Sequence, residues 1–363
     1  MATTLKSVTL ALEPERGPVD ITWDGQQIIS VQPANEDAIE QGIDGRGKYL
    51  LPGLIDTHLH LTGTKNLEDL IRAGVTTGVD LGTHPDSLVQ ELRDVPGVAS
   101  IISAGSAASA PGGTQTEVMG FPAESIVHGP EDAERFIQWR IDNNSDLIKI
   151  IIEDPHNPTV SALSLDTLRA LVTSAHDHGL LTVAHAVTDY SFTLGIEAGV
   201  DILTHSPADK PLSTENVQKI AERGIIVSPT LIMMKTVIAS REGQPGPVLD
   251  YQACQESVRA LHHGGAVLLA GTDANETPMA PVPHGTSLHD ELDLLIEAGL
   301  NNREAIISAT TDAARYLRLS DRGLIEEGLR ADLLLVDANP LEDISTLRRP
   351  FAVWAAGQQA NLK

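Results

Sequence analysis

Eight short runs rich in Val, Ile and Leu punctuate the chain: Leu51–Leu61, Thr76–Leu81, Ala99–Gly105, Leu147–Glu153, Leu181–Ala186, Asp201–Ser206, Ile225–Leu231 and Ala266–Asp273. A short, continuously apolar run has no polar face to show water, so it suits a strand covered on both sides, as in a parallel sheet. Helical signals separate most of the runs. Gly129-Pro130-Glu131-Asp132 places proline at a first helical position with acids in the first turn. Leu163–His178 has helical periodicity and stops at Gly179, and Thr214–Arg223 stops at Gly224. Ser287-Leu-His-Asp290 fits a capping box that opens a helix ending near Gly299. Eight strands alternating with helices predict an α/β chain folded as a (β/α)8 TIM barrel; a doubly wound sheet would normally use fewer strands.

The two ends have a different pattern. Residues 5–50 alternate apolar and polar, with turns at Trp23-Asp24-Gly25 and Asp44-Gly45-Arg46-Gly47, and suggest short antiparallel strands. Ala331–Asp337 and Phe351–Ala355 are strand-like again. Both termini are therefore expected to meet in one small β-sandwich, residues 1–51 with 325–363, flanking a catalytic barrel at residues 52–324. Ser106–Val127 and Thr236–Val248 are expected as loops beyond strand ends.

Composition narrows the function classes. With 25 Lys and Arg against 50 Asp and Glu, the net charge of −25 repels phosphate backbones and anionic membranes. Aromatics at 3% are too few for a base-stacking platform, so a nucleic-acid partner is not expected. No stretch approaches the roughly 18 apolar residues needed to span a bilayer. Met1–Leu10 lacks a charged segment followed by a long apolar one, which predicts a cytoplasmic chain without a secretory leader. A single cysteine, Cys254, excludes an intrachain disulfide and a cysteine-built zinc site; a buried or neutral thiol is its expected state. The expected partner is a small-molecule substrate, with homo-oligomerisation left open.

Barrel enzymes carry their chemistry at the C-terminal ends of the strands. The first run ends in His58 and His60; at i and i+2 they share a strand face, a natural start for a divalent metal site. Lys149 sits within the fourth run, and His185, His205 and Asp273 end the fifth, sixth and eighth. Four histidines, a carboxylate and a buried lysine thus converge on one cavity. Among the other histidines, His176, His178, His262 and His263 fall near helix C-termini, where imidazolium suits the dipole. His84, His128 and His156 lie beyond strand ends. His284 and His289 follow Asp273, and Tyr190 follows the fifth strand. Of these, Tyr190, His84, His156 and His284 are candidate substrate contacts. The low-charge loop Ser106–Met119 and the apolar Leu231-Ile-Met-Met234 hint at a partly hydrophobic pocket.

In the motifs Leu51-Pro-Gly-Leu-Ile-Asp-Thr-His-Leu-His60, Leu147-Ile-Lys-Ile150, Thr182-Val-Ala-His-Ala186, Gly199-Val-Asp-Ile-Leu-Thr-His205, Gly271-Thr-Asp273 and Gly328-Leu-Arg-Ala-Asp-Leu333, the chain resembles the amidohydrolase superfamily, most of all its imidazolonepropionase-like and prolidase-like branch. The resemblance implies a (β/α)8 barrel with a β-sandwich from both termini. It implies two divalent ions, zinc foremost. His58, His60 and Asp273 would hold the more buried ion, and His185 and His205 the more exposed one. Lys149, converted by CO2 to a carbamate, would bridge them. A metal-bridging hydroxide would attack, and Asp273 would accept its proton and pass it to the leaving group. The implied activity is hydrolysis of an amide or cyclic amide C–N bond, with a lactone or ester hydrolase as the alternative on the same site. A mononuclear deaminase would lack a need for Lys149 and carry a glutamate soon after the fifth strand, where this chain has Ala-Val-Thr-Asp-Tyr190. A non-catalytic barrel would have lost ligands that are all present here. Many prolidase-like relatives show Gly-Gly-His after the third strand, where this chain has Pro111-Gly-Gly-Thr114. Lys65, Lys210, Lys235 and Arg241 are the cations of the strand-end loops, so an arginine clamp for a substrate carboxylate is not evident.

Overall fold

The computed structural model describes residues 2–35, 42–93, 95–244 and 248–362. Residues 36–41 of the expected terminal strands and 245–247 of the expected Thr236–Val248 loop lie outside the described residues. The termini build an eight-stranded sheet together. Its order runs Gln358–Gln359, Ala352–Ala355, Leu333–Val336, Tyr49–Pro52, Thr3–Leu10, Pro18–Asp24 and Gln27–Pro33, with Ile43–Asp44 also pairing with Thr3–Leu10. The two ends of the chain meet where Leu50 pairs antiparallel with Leu335. Inward-facing residues of this sheet, among them Leu5, Ile21, Leu50 and Leu333, form their own apolar cluster. Trp23 and Trp354 contribute an edge-to-face pair there with ring centroids 5.4 Å apart, a favoured aromatic geometry.

The chain leaves this sheet at Gly53. A side chain there would lie 2.2 Å from Thr76 Oγ1, so only glycine lets the two sheets approach this closely. The predicted first strand is accordingly two, Tyr49–Pro52 in the terminal sheet and Leu54–Leu59 in a parallel one. Leu54–Leu59, Val75–Asp80 and Ser100–Ser103 form a three-stranded parallel sheet. Leu147–Ile151, Leu181–His185, Ile202–Thr204 and Ile226–Ser228 form a four-stranded one. Single parallel bridges carry the sequence of neighbours onward: Ala108 to Ile150, Val227 to Leu268 and Leu59 to Ala274. Helices intervene, and side chains cap several of them. Ser164 caps Leu165–Asp177, Ser213 caps Thr214–Arg223, and Gly224 ends the latter in the left-handed conformation that glycine adopts without strain. No helix among the described residues is long and apolar enough to cross a membrane.

Three local expectations change. The eighth run makes isolated bridges and no regular strand, because the Thr272 amide turns to the Asp56 carboxylate and the His58 carbonyl. Ser287 does not cap its helix; the helix Thr286–Glu297 begins after Gly285, whose φ of 77° breaks the chain direction first. Much of the expected loop Thr236–Val248 belongs to a helix, Leu231–Ser240, within which Leu231, Met233 and Met234 pack into the main core.

The first turn of that helix rests on Glu291, which is wholly buried. Its two carboxyl oxygens accept the Leu231 and Ile232 amides at 2.9 and 2.8 Å, satisfying two donors a helix start leaves free. Burial, with some repulsion from buried Asp56, pushes the Glu291 carboxyl up to about 8. Its folded value thus lies above the ordinary glutamate value of 4.5. The stability Glu291 contributes is full below that value and is lost as pH rises through about 8. Urea unfolding of the wild type and of Glu291→Gln between pH 5 and 9 should therefore show the wild type losing ground to the variant as pH rises. A difference that stays flat with pH would contradict the assignment.

Candidate metal centre

His58 lies on the first parallel strand and His60 one residue beyond it, both on the same face. Their position is fixed by the segment around Asp273. The amides of Thr272 and Asp273 donate to the His58 carbonyl, at 3.2 and 2.7 Å. The Asp56 carboxylate accepts the Thr272 hydroxyl at 2.7 Å together with the amides of Thr272 and His58. Gly271 permits the crossing, since a Cβ there would stand 2.4 Å from Ser228 Oγ and 3.0 Å from the His58 amide nitrogen. As a result Asp273 Oδ1 lies 2.9 Å from His60 Nε2 and 3.5 Å from His58 Nε2. One ligand atom from each of His58, His60 and Asp273 falls within 4.8 Å of the others.

His205 follows the strand Ile202–Thr204, and its Nδ1 lies 3.9 Å from Asp273 Oδ2 and 2.9 Å from Thr230 Oγ1. Its ring centroid is 5.0 Å from that of His58 and 4.5 Å from that of His185, which ends the strand Leu181–His185. Lys149, buried in the middle of Leu147–Ile151, donates from Nζ to Thr204 Oγ1 at 2.8 Å. His205, Thr230 and Asp273 have φ of 75°, 46° and 56°. Left-handed backbone is costly for residues other than glycine, above all for β-branched Thr230. Three such residues at one site mark a place where the fold holds strain in order to aim side chains.

The electrostatics follow from burial. Desolvation, reinforced by the neighbouring Lys149 and imidazoles, holds His58 and His205 far below the usual histidine range. Desolvation and Lys149 lower His185 to about 3. These three rings are neutral and free to donate lone pairs. Desolvation competes at His60 with the Asp273 carboxylate, whose hydrogen bond and charge raise its value. Desolvation lowers Lys149 to about 7, against the opposing pull of Asp273 and Asp80. His58 Nδ1 is buried with no hydrogen-bond partner among the described residues.

Sequence reasoning passed over several residues that shape this site. Asp80 ends the second strand, and its carboxylate accepts the amides of Gly82 and Thr83 and the hydroxyls of Thr83 and Ser103. Its only sequence signal is an acid followed by Gly and Thr, the spelling of a carboxylate-capped turn. Thr204 and Thr230, which hold Lys149 and His205, carry no signal of their own.

The candidate substrate contacts separate. His284 is buried and its Nε2 lies 2.8 Å from the His60 carbonyl, with Asn66 Nδ2 at 3.3 Å from its Nδ1, so it braces the ligand segment. His84 packs against Phe121 at 4.8 Å, and Phe121 in turn flanks the space beside His60 at Gly82. His156 and half-exposed Tyr190 pack against each other at 4.5 Å, with His156 Nδ1 2.9 Å from Asp154. His289 reaches the Ala73 carbonyl instead of the site. His176, His178 and His262 pair with Asp201, Glu134 and Glu304. Lys65 and Lys210 pair with Asp69 and Asp189. Burial pushes the Cys254 thiol up to about 12, which makes it inert.

The chain is similar to known proteins over most of its length. Over 373 residues the chain is 24% identical to an ochratoxinase of Aspergillus niger, covering 86% of this chain and 76% of that one. An imidazolonepropionase of Pyrobaculum arsenaticum is 30% identical over 179 residues, 48% of this chain and 40% of that one. The crystal structure of a putative prolidase from Bifidobacterium longum matches with a TM-score of 0.80 at 26% identity, covering 99% of this chain and 94% of that one. The model of the amidohydrolase family matches residues 49–359, and the chain belongs to that family.

Proposed function

We propose that the chain is a metal-dependent hydrolase that cleaves the amide or cyclic amide C–N bond of a small molecule. The observation that carries this reading is the convergence of His58, His60 and Asp273 within 4.8 Å, with His205, His185 and Lys149 packed against them. The donor set fits divalent metal. Three imidazoles are held neutral, His58 Nδ1 is a buried polar atom without a partner, and the lysine amine is poised near neutrality. His58, His60 and Asp273 would hold one ion, His185 and His205 a second, and Lys149 both. Bound there, two divalent ions, zinc foremost, supply Lewis acidity and lower the pKa of water.

The chain's own groups do the remaining work. The neutral Lys149 amine would attack CO2, forming an N–C bond and releasing one proton to solvent, so that an uncharged amine becomes a carbamate anion. Asp273 accepts a proton from the attacking water and delivers it to the departing nitrogen. His284 and Asp56 keep His60 and Asp273 in register through the backbone. In this reading residues 52–324 close as a (β/α)8 barrel, and residues 1–51 with 325–363 form the companion β-sandwich. The bridges from Ala108 to Ile150, Val227 to Leu268 and Leu59 to Ala274 support the closure.

The test is metal analysis of the purified chain, followed by a screen of N-acyl amino acids, dipeptides, cyclic imides and lactones before and after chelation. About two divalent ions per chain are expected, with hydrolysis lost on chelation and restored by metal. A metal-free chain that keeps full activity in chelator would refute the proposal.

A further inference from the structure

At the opposite end of the parallel strands from the histidines, the structure holds a cavity of about 390 Å³. It opens where the strands Leu181–His185, Ile202–Thr204 and Ile226–Ser228 begin, and Arg223, Arg315 and Arg318 line it. In a chain of net charge −25, three guanidinium groups around one cavity call for an explanation. They do not serve as ion-pair partners: among the described residues none of the three makes a salt bridge with a carboxylate. Backbone oxygens position two of them. Arg223 Nη1 donates to the Ile196 carbonyl at 2.7 Å and Arg318 Nη1 to the Gly179 carbonyl at 3.0 Å, while Arg315 lies against the Tyr316 ring at 5.3 Å. Each anchor orients a guanidinium without pairing it directly to a carboxylate, and leaves further N–H donors to offer. The carboxylate in the lining, Asp201, already accepts the Thr182 amide and hydroxyl and contacts His176. Asp312 is felt by Arg315 through space.

The backbone adds an independent observation. Arg318 has a φ of 59° and sits just past the helix Thr311–Tyr316. That is the position where helices favour glycine, because a side chain strains left-handed backbone. Eighteen glycines among the described residues have positive φ, yet here the position holds an arginine that lines the cavity.

We propose that this cavity binds a small phosphate-bearing anion, distinct from the substrate of the metal centre. Guanidinium groups match the geometry of phosphate oxygens with paired hydrogen bonds, and three of them suit a dianion. The volume exceeds a bare phosphate and accommodates the monoester of a small metabolite.

The test measures binding of inorganic phosphate and glycerol 2-phosphate to the metal-loaded protein by calorimetry, at ionic strength matched with sodium chloride. Arg318→Gly should weaken glycerol 2-phosphate by about tenfold, and Arg223→Gln with Arg318→Gly by about a hundredfold. Because glycine suits that backbone, Arg318→Gly should keep or raise the melting temperature and leave basal hydrolysis unchanged. Tighter binding of the ester than of inorganic phosphate would identify a metabolite monoester as the occupant, and the reverse order free phosphate. Equal affinity in wild type and both variants, or no binding above the salt control, would overturn the proposal. Phosphate held only at the metal centre gives the first of those results.

Discussion

Lys149→Ala is expected to lose bound metal, from about two ions per chain to one or fewer, and to lower kcat/KM by about a thousandfold or more. The expectation rests on where the amine lies. Lys149 is 3% exposed, its amine donates to Thr204 Oγ1, and desolvation brings it to about 7. A cation in that position would repel both metal ions, whereas a carboxylated amine would bind both. The wild type stripped of metal should therefore regain activity faster with bicarbonate at pH 8 than at pH 6. Below about 7 the amine is protonated and has no lone pair for CO2. Truncation to alanine leaves room beside Thr204 for a small acid, so acetate or propionate should restore part of the metal and part of the rate. Metal analysis alongside kinetics separates the readings. A variant that keeps the wild type's metal content and near wild-type rate would show that the lysine bridges no ions and takes no part in the reaction.

What the sequence discloses and what it hides follow from the same physics. The strand Leu147–Ile151 is buried at every position, and so it shows as a continuous apolar run even with Lys149 inside it. Helices with one wet face, such as Thr214–Arg223, declare themselves by periodicity and a terminal glycine. The helix Leu231–Ser240 does neither: its sequence, Leu-Ile-Met-Met-Lys-Thr-Val-Ile-Ala-Ser, is apolar on most sides and begins at a strained Thr230. Its first amides go to Glu291, sixty residues away along the chain, which no local pattern can reveal. The eighth run fails as a strand for a similar reason, since its Thr272 amide meets the Asp56 side chain and its other amides reach scattered carbonyls instead of a full ladder. The candidate metal ligands were legible because their chemistry is scarce: few residue types ligate metal, and these stand at strand ends. Asp56, Asp80 and Thr230 act by holding backbone, a service many residues could render, so their spelling carries almost no information.

Asp273→Asn is the second large effect, and it separates proton transfer from folding. Asparagine matches aspartate in shape, and both tolerate the left-handed backbone that Asp273 adopts at φ 56°. The hydrogen bonds of the segment to His58 and Asp56 run through backbone and Thr272, so the loop should keep its course. The melting temperature of the metal-free variant should stay close to wild type. What disappears is the anion 2.9 Å from His60 and 3.5 Å from His58. Without it the upward shift of His60 loses its main cause, and that ring should become easier to deprotonate. With metal supplied in excess to refill the centre, kcat should still fall by roughly 10²–10⁴-fold, because a carboxamide cannot take the proton from the attacking water. If saturating metal restores kcat to near the wild-type level, Asp273 is a ligand alone, and the proton must leave the site through another group.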